Sequence, residues 1–381
     1  MYINRIISDE IRAKLTENKI KIIILYGARQ VGKTTLVNKL LQNIKCKKLY
    51  LNGDNANDRQ VLSIQDYTNL SKLVQGYDIL FIDEAQKIED IGVKLKILHD
   101  QCQPLRIIVT GSSALELANN VQESLAGRTY KYQLYPISML ELAKHYDKFK
   151  LDRTLEHYLV YGSYPDILVN QSLKEKEIFL LNLTESYLYK DVLEFENIRY
   201  STKIRKLLEL LAFQIGSEVS YTEIGQKLGL SYHTVIDYTD LLEKAFVVKT
   251  VRGFSRNLRK EINKKPKIYF YDLGIRNALI NNFSNISKRN DLGGLWENFL
   301  FIERTKRNNY LKHLCKQYFW RIYTGAELDY IEEYNGQLYG YEFKWNKKTK
   351  APQSWINTYK KEQASFQYIN KDNYFGFLTD S

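Results

Sequence analysis

Nine consecutive residues near the start of the sequence have the types and spacing needed to hold a phosphate chain. They fit the pattern G-x-x-x-x-G-K-[ST] plus one further threonine, and they are Gly27, Ala28, Arg29, Gln30, Val31, Gly32, Lys33, Thr34 and Thr35. Glycine permits backbone angles that turn amide N–H groups toward phosphate oxygens. In this pattern the lysine reaches the β- and γ-phosphates, and the threonine hydroxyl ligates Mg²⁺. The segment therefore predicts a site for ATP and Mg²⁺, with Lys33 as a catalytic charge and Thr34 as a metal ligand.

An acidic pair directly after the apolar run at 79–82 could supply the second half of this chemistry. Asp83 is expected to hold the Mg²⁺ shell, and Glu84 to act as the general base that polarises the attacking water. Acidic pairs are also common where a helix begins. Because this pair follows a phosphate-binding loop, the catalytic interpretation is favoured.

Two further positions could contact the γ-phosphate. The apolar run at 105–110 ends in a Thr-Gly-Ser-Ser sequence, in which we favour Ser112 over Thr110 as the contact, although a serine there can equally cap a helix. Arg128 lies just beyond this region and could sense the γ-phosphate in its own subunit or in a neighbour's. The second case requires a homo-oligomer. A structural salt bridge is the alternative role for this arginine.

A helix-turn-helix pattern occupies residues 219–245. A short helix is predicted for Tyr221–Leu228, Gly229 ends it, and Ser231 caps a second helix through Leu242. If the pattern binds DNA, the start of the second helix faces the major groove. Its candidate contacts are Ser231, Tyr232, His233 and Thr234. The alternative is a packing or dimerisation module.

A basic run at 252–267 follows this pattern and suits contacts with DNA phosphates. Its candidate contacts are Arg252, Arg256, Arg259 and Lys260. A solvated loop is the usual alternative for such a run.

Four charged residues in the last part of the chain could form a nuclease site: Glu297, Asp329, Glu342 and Lys344. Glu297 falls in a predicted helix, whereas the other three fall on two predicted strands joined by an Asn-Gly turn at 335–336. Carboxylates on adjacent strands can hold a divalent metal, and a lysine beside them can position the attacking water. A retained fold that does not cleave is the alternative.

These candidate residues require three kinds of structural element. A β-branched run at 21–26 before the phosphate loop predicts a buried parallel strand, and a helical pattern follows the loop. Three- and four-residue spacing of apolar side chains predicts helices after Pro136. We therefore predict an α/β chain with a P-loop parallel-sheet ATPase domain at 1–150, a helical region with a winged helix-turn-helix at 151–290, and an α/β restriction-endonuclease-like domain at 291–381.

The composition restricts the remaining possibilities. The net charge of +12 is compatible with nucleic acid but also with a diffuse basic surface. The three cysteines are far apart, which argues against a disulfide framework and a structural zinc. The apolar runs are far shorter than the roughly 20 residues of a membrane span, and the charged start does not fit an export signal. We expect a cytoplasmic protein without membrane contact.

The motifs resemble a widespread bacterial and archaeal family of AAA-superfamily ATPases with a C-terminal domain of unknown function. The resemblance rests on the phosphate loop, on IDEAQ at 82–86, TGSS at 110–113, LAGR at 125–128, YGSYPD at 161–166, YLYKDV at 187–192, PKIYFYDLGIRNAL at 266–279, and the four charged residues above. Two positions depart from the family pattern, because Ser163 replaces a glycine and Lys190 an arginine. The resemblance implies an AAA-type ATPase domain, a winged helix and a restriction-endonuclease-like end.

Three functional hypotheses follow. The favoured one is an Mg²⁺-dependent ATPase that acts on or binds DNA, with a metal-dependent nuclease site at its C-terminal end. The second is a nucleotide-dependent regulatory switch that binds DNA or protein and does not cleave. The third is a signalling or scaffold ATPase that binds protein partners alone.

Overall fold

Short apolar runs form the five parallel strands of a first sheet. They are β1 Ile22–Tyr26, β2 Lys48–Asn52, β3 Ile79–Asp83, β4 Arg106–Gly111 and β5 Thr129–Gln133. The strand order is β2-β3-β4-β1-β5, and all pairs are parallel. Strand β3 is buried along its whole length, as expected for a strand with both faces covered. Because β4 lies between β1 and β3, its carboxyl end separates the phosphate loop from the acidic pair.

One helix precedes β1, and others connect β1 to β2, β2 to β3 and β3 to β4, as parallel pairing requires. They are α1 Ile7–Thr16, α2 Lys33–Gln42, α3 Ala56–Val61, α4 Tyr67–Val74 and α5 Ile91–Gln101, with a 3-10 turn at Ala85–Lys87. Helix α2 begins at the lysine of the phosphate loop, and its buried face consists of Leu36, Val37, Leu40 and Leu41. The loop is thus fixed between a buried strand and a packed helix.

The structure is a computed structural model. It describes residues 2–63, 66–111, 125–169, 172–194, 201–256, 265–323, 325–346 and 349–380. Two compact units are present: residues 2–135 with 244–246, and residues 136–243 with 247–381. Among the described helices, none is long and apolar enough to cross a membrane.

The second unit begins with helices and continues into a helix pair with a hairpin. The first helices are α6 Met139–Leu142, α7 Lys148–Tyr161, α8 Pro165–Val169, α9 Leu173–Glu194 and α10 Ser201–Phe213. The helix pair and hairpin are α11 Tyr221–Leu228, α12 Tyr232–Lys244, β6 Val248–Val251 and β7 Lys267–Phe270. Gly229 ends α11 with a left-handed backbone, and β6 pairs with β7 in antiparallel fashion.

A four-stranded sheet with flanking helices completes this unit. Its elements are α13 Leu273–Leu279, α14 Leu292–Tyr310, β8 Lys316–Arg321, β9 Glu327–Tyr334, β10 Gln337–Phe343, α15 Gln353–Thr358, β11 Ser365–Ile369 and α16 Tyr374–Thr379, with 3-10 turns at Ile286–Lys288 and Lys360–Glu362. The strand order is β11-β10-β9-β8. Strands β8, β9 and β10 are antiparallel, while β10 and β11 are parallel. Asn335 and Gly336 both have positive φ in the turn between β9 and β10, as an Asn-Gly hairpin requires.

Candidate functional site

The phosphate loop leaves β1 in a backbone conformation that depends on glycine. Gly27 has φ 153° and Gly32 has φ 93°. A Cβ atom on Gly27 would lie 2.0 Å from the carbonyl oxygen of Leu134, so a larger residue cannot be accommodated without moving the chain. The glycines at the two ends of the loop therefore serve the packing of the loop as well as its approach to phosphate.

Two basic side chains donate hydrogen bonds to carbonyl groups of the loop. The Lys33 ammonium donates to the carbonyl oxygens of Gly27 and Ala28, at 2.9 Å in each case. Buried Arg5 donates through Nη1 to the Val31 carbonyl oxygen at 2.8 Å. Arg5 could not be predicted from the sequence, because a lone arginine before the first helix carries no motif.

Asp83, at the end of β3, accepts hydrogen bonds from three hydroxyl groups. Thr34 Oγ1 lies 2.8 Å from Asp83 Oδ2 and 3.0 Å from Oδ1. Thr110 Oγ1 donates to Oδ1, and the Tyr50 hydroxyl lies 3.3 Å from Oδ2. The structure thus brings together the two predicted metal ligands, Thr34 and Asp83. Thr110 contacts this carboxylate, and Tyr50 is a further neighbour that the sequence did not reveal.

Glu84 is held in a strained backbone conformation beside the predicted metal ligands. Its φ of 48° is in the left-handed region, which is uncommon for a residue other than glycine. The Glu84 N–H donates to Thr110 Oγ1 at 3.2 Å, and Gln86 Nε2 donates to Glu84 Oε2 at 2.5 Å. Gly53 lies against its carbonyl group, since a Cβ atom there would be 2.2 Å from the oxygen. An outlier fixed by its surroundings is typical of a functional site.

Of the two remaining predicted contacts, Arg128 is not brought to the phosphate loop of this chain. Ser112 lies outside the described residues. Arg128 precedes β5, whose first residue pairs with Ile22 at the start of β1, whereas the phosphate loop follows the end of that strand. The Arg128 guanidinium forms two hydrogen bonds with Asp100, at 2.8 and 3.0 Å. This pairing lowers the pKa of the Asp100 carboxyl.

In the second unit, the four candidate nuclease residues converge, and Lys267 joins them. Lys344 Nζ lies 2.6 Å from Glu342 Oε1 and 3.7 Å from Asp329 Oδ2. Lys267 Nζ lies 2.8 Å from Glu297 Oε1 and 3.9 Å from Asp329 Oδ1. We call these five residues the acid–lysine cluster. It places Asp329 between two ammonium groups.

Strand β7 supplies two side chains that the sequence analysis did not assign to this site. Lys267 and Tyr269 are two positions apart and therefore share one face of the strand. The Tyr269 hydroxyl donates to Glu297 Oε1 at 2.6 Å. Lys267 was predicted only as part of the basic run. Lys267 and Tyr269 lie at alternate positions of a short strand, and this pattern could have distinguished Lys267 from the other residues of the basic run.

Burial changes the acid–base properties of two of the carboxyl groups. Burial raises the pKa of Glu297 to about 7, and Asp329 adds to this rise while Lys267 opposes it. Burial and the charge of Asp329 raise the pKa of Glu342 to about 7. Both glutamates therefore titrate near neutrality, and a cation placed beside them would favour their ionised forms.

One carboxylate oxygen of the cluster is left without a donor. Among the described residues, none hydrogen-bonds to Glu342 Oε2, although this atom is buried. Within the same part of the chain, the three carboxylates do not form a ligand set whose atoms all lie within 4.8 Å of one another. The Asp329 carboxylate is itself held in place by the Phe343 N–H, which donates to Oδ2 at 2.8 Å. A buried, unpaired carboxylate oxygen next to a fixed carboxylate fits a cation site.

The close set of His313, Cys315 and Glu332 does not offer a comparable site. Its potential ligand atoms lie within 4.8 Å of one another. However, Arg304 donates to both oxygens of Glu332, and Asn308 donates to one of them at 2.6 Å. The Glu332 carboxylate is thus already engaged by an internal charge-assisted pair.

The start of α12 presents the predicted DNA-contacting residues at the surface. Ser231, Tyr232 and His233 are exposed, and Thr234 is partly buried. The Ser231 hydroxyl caps the helix by accepting from the Thr234 N–H at 3.0 Å. The side chains available for a partner are therefore mainly those of Tyr232 and His233.

The basic run is only partly described. Arg252 is exposed, while Arg256 pairs with Glu333 at 2.9 Å and with Glu362 at 3.0 Å. Arg259 and Lys260 lie outside the described residues. Arg256 is thus already engaged within the unit, whereas Arg252 faces solvent.

Three family models match consecutive parts of the chain. Residues 19–143 match an AAA domain, residues 152–286 a domain of unknown function (DUF8612), and residues 292–374 a further domain of unknown function (DUF4143). The expectations of an AAA-type domain and of a C-terminal domain of unknown function are thereby confirmed. With the loop geometry above, the first match identifies the N-terminal part as P-loop ATPase-like.

Individual proteins are also similar to this chain. An uncharacterized protein of Mycobacterium tuberculosis is 26% identical over 338 residues, which cover 87% of this chain and 72% of the relative. An uncharacterized ATP-binding protein of Methanocaldococcus jannaschii is 49% identical over 49 residues, 13% of this chain and 83% of the relative. Among solved structures, a Walker-type ATPase of Pyrococcus abyssi aligns with a TM-score of 0.47 and 14% identity, covering 72% of this chain and 94% of that one.

Proposed function

We propose that this P-loop ATPase-like chain binds and hydrolyses ATP with Mg²⁺ and acts on DNA through its second unit. The convergence of Thr34 and Asp83, beside Lys33 on the phosphate loop, is the observation that carries the ATPase part. The similarity to a protein described as ATP-binding supports the same choice of nucleotide. The division into domains at about residues 150 and 290, and a cytoplasmic location, are parts of this proposal.

The residues at the end of β3 suit Mg²⁺. The Thr34 hydroxyl and the Asp83 carboxylate are hard oxygen donors that already lie 2.8 Å apart, so one ion can contact both. When bound, Mg²⁺ would neutralise charge on the β- and γ-phosphates. The chain itself contributes Lys33, whose ammonium leaves the loop carbonyls to contact phosphate oxygens. Thr110 keeps Asp83 oriented throughout.

Glu84 is the proposed general base for the attacking water. Its position directly after Asp83, and the contacts that hold its backbone, support this role. We expect Lys33→Ala to abolish ATP binding, and Glu84→Gln to retain binding but reduce kcat by about 100-fold or more. Lys45→Ala, an exposed lysine beyond α2, is the matched control and should behave as wild type. Unchanged turnover in Glu84→Gln would exclude Glu84 as the base.

Arg128 remains a candidate for contact with a neighbouring subunit's nucleotide. Its pair with Asp100 lies at the surface, where water and salt weaken ion pairs, so a partner could displace it. The proposal requires a homo-oligomer and predicts that Arg128→Ala lowers kcat in proportion to the assembled fraction. Sedimentation velocity with and without ATP, run beside the ATPase assay, provides the comparison.

The helix pair and hairpin support the DNA-binding part of the proposal. Helices α11 and α12 followed by the β6–β7 hairpin are the elements of a winged helix, and Tyr232 and His233 are exposed where a recognition helix meets the major groove. We expect salt-dependent binding of duplex DNA by fluorescence anisotropy, weakened by about 10-fold in Tyr232→Ala with His233→Ala. A matched control is Tyr67→Ala, an exposed tyrosine of the first unit. If wild type does not bind at low salt, where phosphate contacts are strongest, a protein partner becomes the alternative.

A second candidate activity, metal-dependent phosphodiester cleavage, is favoured by the acid–lysine cluster. The order of α14, three antiparallel strands, α15 and a final parallel strand supports a restriction-endonuclease-like interpretation. Asp329 and Glu342 would hold the ion, which would stabilise charge on the phosphate oxygens, and Lys344 would orient the attacking water.

Cleavage of single-stranded, linear and supercoiled DNA with Mg²⁺ or Mn²⁺ tests this activity. We expect products with wild type and none with Asp329→Asn, while Asp372→Asn, an exposed acid after β11, should cleave normally. Parallel reactions with Lys33→Ala show whether ATP controls cleavage. If no condition gives products, the remaining hypothesis is the regulatory switch, in which this unit binds a partner without cleaving it.

A further inference from the structure

Lys267 occupies an unusual position for a lysine of a candidate metal site. Its side chain is only 8% exposed, and its ammonium lies between Glu297 and Asp329. It also lies over the ring of Phe319, 5.4 Å from the ring centre. By contrast, the Lys344 side chain is 35% exposed. Lys267 is therefore fixed inside the cluster, whereas Lys344 stands at its open side.

The charges of the cluster limit how many cations it can accept. Three carboxylates and two ammonium groups leave a formal charge of −1 when all are ionised. One divalent cation would bring the site to +1, which suits an anionic phosphodiester. A second divalent cation would bring it to +3 while facing a buried ammonium, and like charges at short range repel strongly.

The positions of the free acceptors agree with this count. Glu297 Oε1 already accepts from Lys267 at 2.8 Å and from Tyr269 at 2.6 Å. On the other side of Asp329, Glu342 Oε2 is buried and receives no hydrogen bond from the described residues. Glu297 Oε1 thus already has two donors, whereas Glu342 keeps a buried oxygen to which no described residue donates a hydrogen bond.

We propose that the acid–lysine cluster binds one divalent cation, on Asp329 and Glu342, and that the Lys267 ammonium takes the place of a second cation between Glu297 and Asp329. This inference rests on the second candidate activity described above. Lys267 is in this view a positioning residue: it holds Glu297 and one oxygen of Asp329 so that the other carboxylate oxygens face the ion.

Counting bound Mn²⁺ tests the inference directly, without requiring cleavage. The full chain carries Asp83→Asn, which removes the acidic ligand at the phosphate loop, and no nucleotide is added. Free Mn²⁺ is followed by electron paramagnetic resonance during titration. We expect the Asp83→Asn chain to bind one Mn²⁺. A chain that also carries Asp329→Asn should bind none, and one that also carries Lys267→Met should bind two. Lys344→Met, a lysine of the same cluster at its open side, should still bind one.

Lys267→Met removes the ammonium from two buried carboxylates, which keep, among the described residues, only the Tyr269, Phe343 and Lys344 contacts. Lys267→Gln, which keeps a donor but not the charge, is therefore tested beside it for the same gain. Circular dichroism checks that each variant is folded. Two ions in the Asp83→Asn chain itself would overturn the inference while leaving the proposed metal-dependent activity intact, and that measurement needs no change at Lys267. A single ion in folded Lys267→Met and Lys267→Gln would overturn it as well. No ion in the Asp83→Asn chain would reject both the inference and the second candidate activity.

Discussion

Thr110 links the two acidic residues of the ATP site, and its removal should affect both stability and turnover. The side chain is fully buried at the end of β4. Its hydroxyl donates to Asp83 Oδ1 and accepts from the Glu84 N–H. Thr110→Val removes this hydroxyl without changing the size of the side chain, so both partners lose a contact that water cannot replace.

The expected loss follows from these two contacts. A hydrogen bond to a charged group is worth about 1.5–3 kcal/mol, and a buried N–H left without a partner costs about 1–3 kcal/mol. Since Asp83 still accepts from Thr34 and Tyr50, we expect Thr110→Val to lower the free energy of unfolding of the first unit by about 2–4 kcal/mol. Displacement of Asp83 and Glu84 should also reduce kcat by at least about 10-fold, the equivalent of 1.4 kcal/mol in the barrier.

Urea unfolding separates this effect from a general loss of folding. All four tryptophans lie between residues 296 and 355, so their fluorescence reports the second unit, whereas far-ultraviolet circular dichroism follows both. We expect the dichroism transition to shift in Thr110→Val while the fluorescence midpoint stays at the wild-type value. Thr110→Ser, which keeps the hydroxyl, should recover most of the stability and turnover. Equal midpoints and equal kcat for Thr110→Val and Thr110→Ser would refute the reasoning.

Three further predictions concern the two units. Gly162→Ala should destabilise the second unit by more than about 3 kcal/mol, because the new Cβ would lie 2.0 Å from Asp272 Oδ1. Gly76→Ala is the control. Gly76 also has positive φ but has open space around it, so the substitution should cost only about 1 kcal/mol. Urea midpoints check both. The stability of the second unit should fall as pH rises from about 4.5 to about 7, since Glu297 and Glu342, whose pKa burial raises to about 7, bind more protons when folded than when unfolded. Asp329→Asn should flatten this dependence, measured by tryptophan fluorescence. Arg5→Ala should weaken ATP binding more than Arg5→Lys, measured with a fluorescent nucleotide, because it frees the Val31 carbonyl of the phosphate loop.

Much of the ATP site could be predicted from the sequence, because the residues that carry its chemistry are consecutive. The phosphate loop and the Asp83-Glu84 pair each follow a strand whose apolar run is visible, and parallel strands end at the same edge of a sheet. The supporting contacts were not visible. Arg5 and Tyr50 reach the site from elements that carry no motif, and their positions depend on how the chain folds around β1 and β3.

The position of Arg128 in the sheet did not follow from its motif. Its place in LAGR suggested proximity to the γ-phosphate, but the residue order along a strand also determines which edge of the sheet a residue occupies. Arg128 comes before β5, which runs parallel to β1, and it therefore lies at the amino end of the sheet.

Strand β7 connects the proposed DNA-binding elements of the second unit with the acid–lysine cluster. It pairs with β6, the strand that follows the exposed recognition-helix candidate α12. Its Lys267 and Tyr269 side chains also hold Glu297 of the acid–lysine cluster. A displacement of the hairpin would thus move the ammonium that separates Glu297 from Asp329. If duplex DNA binds at α12 and the hairpin, Mn²⁺ affinity at the cluster should change with it, and by linkage Mn²⁺ should change DNA affinity by the same factor. Equal DNA affinity with and without Mn²⁺ in the Asp83→Asn chain would show that binding at the two sites is not coupled, although β7 connects them.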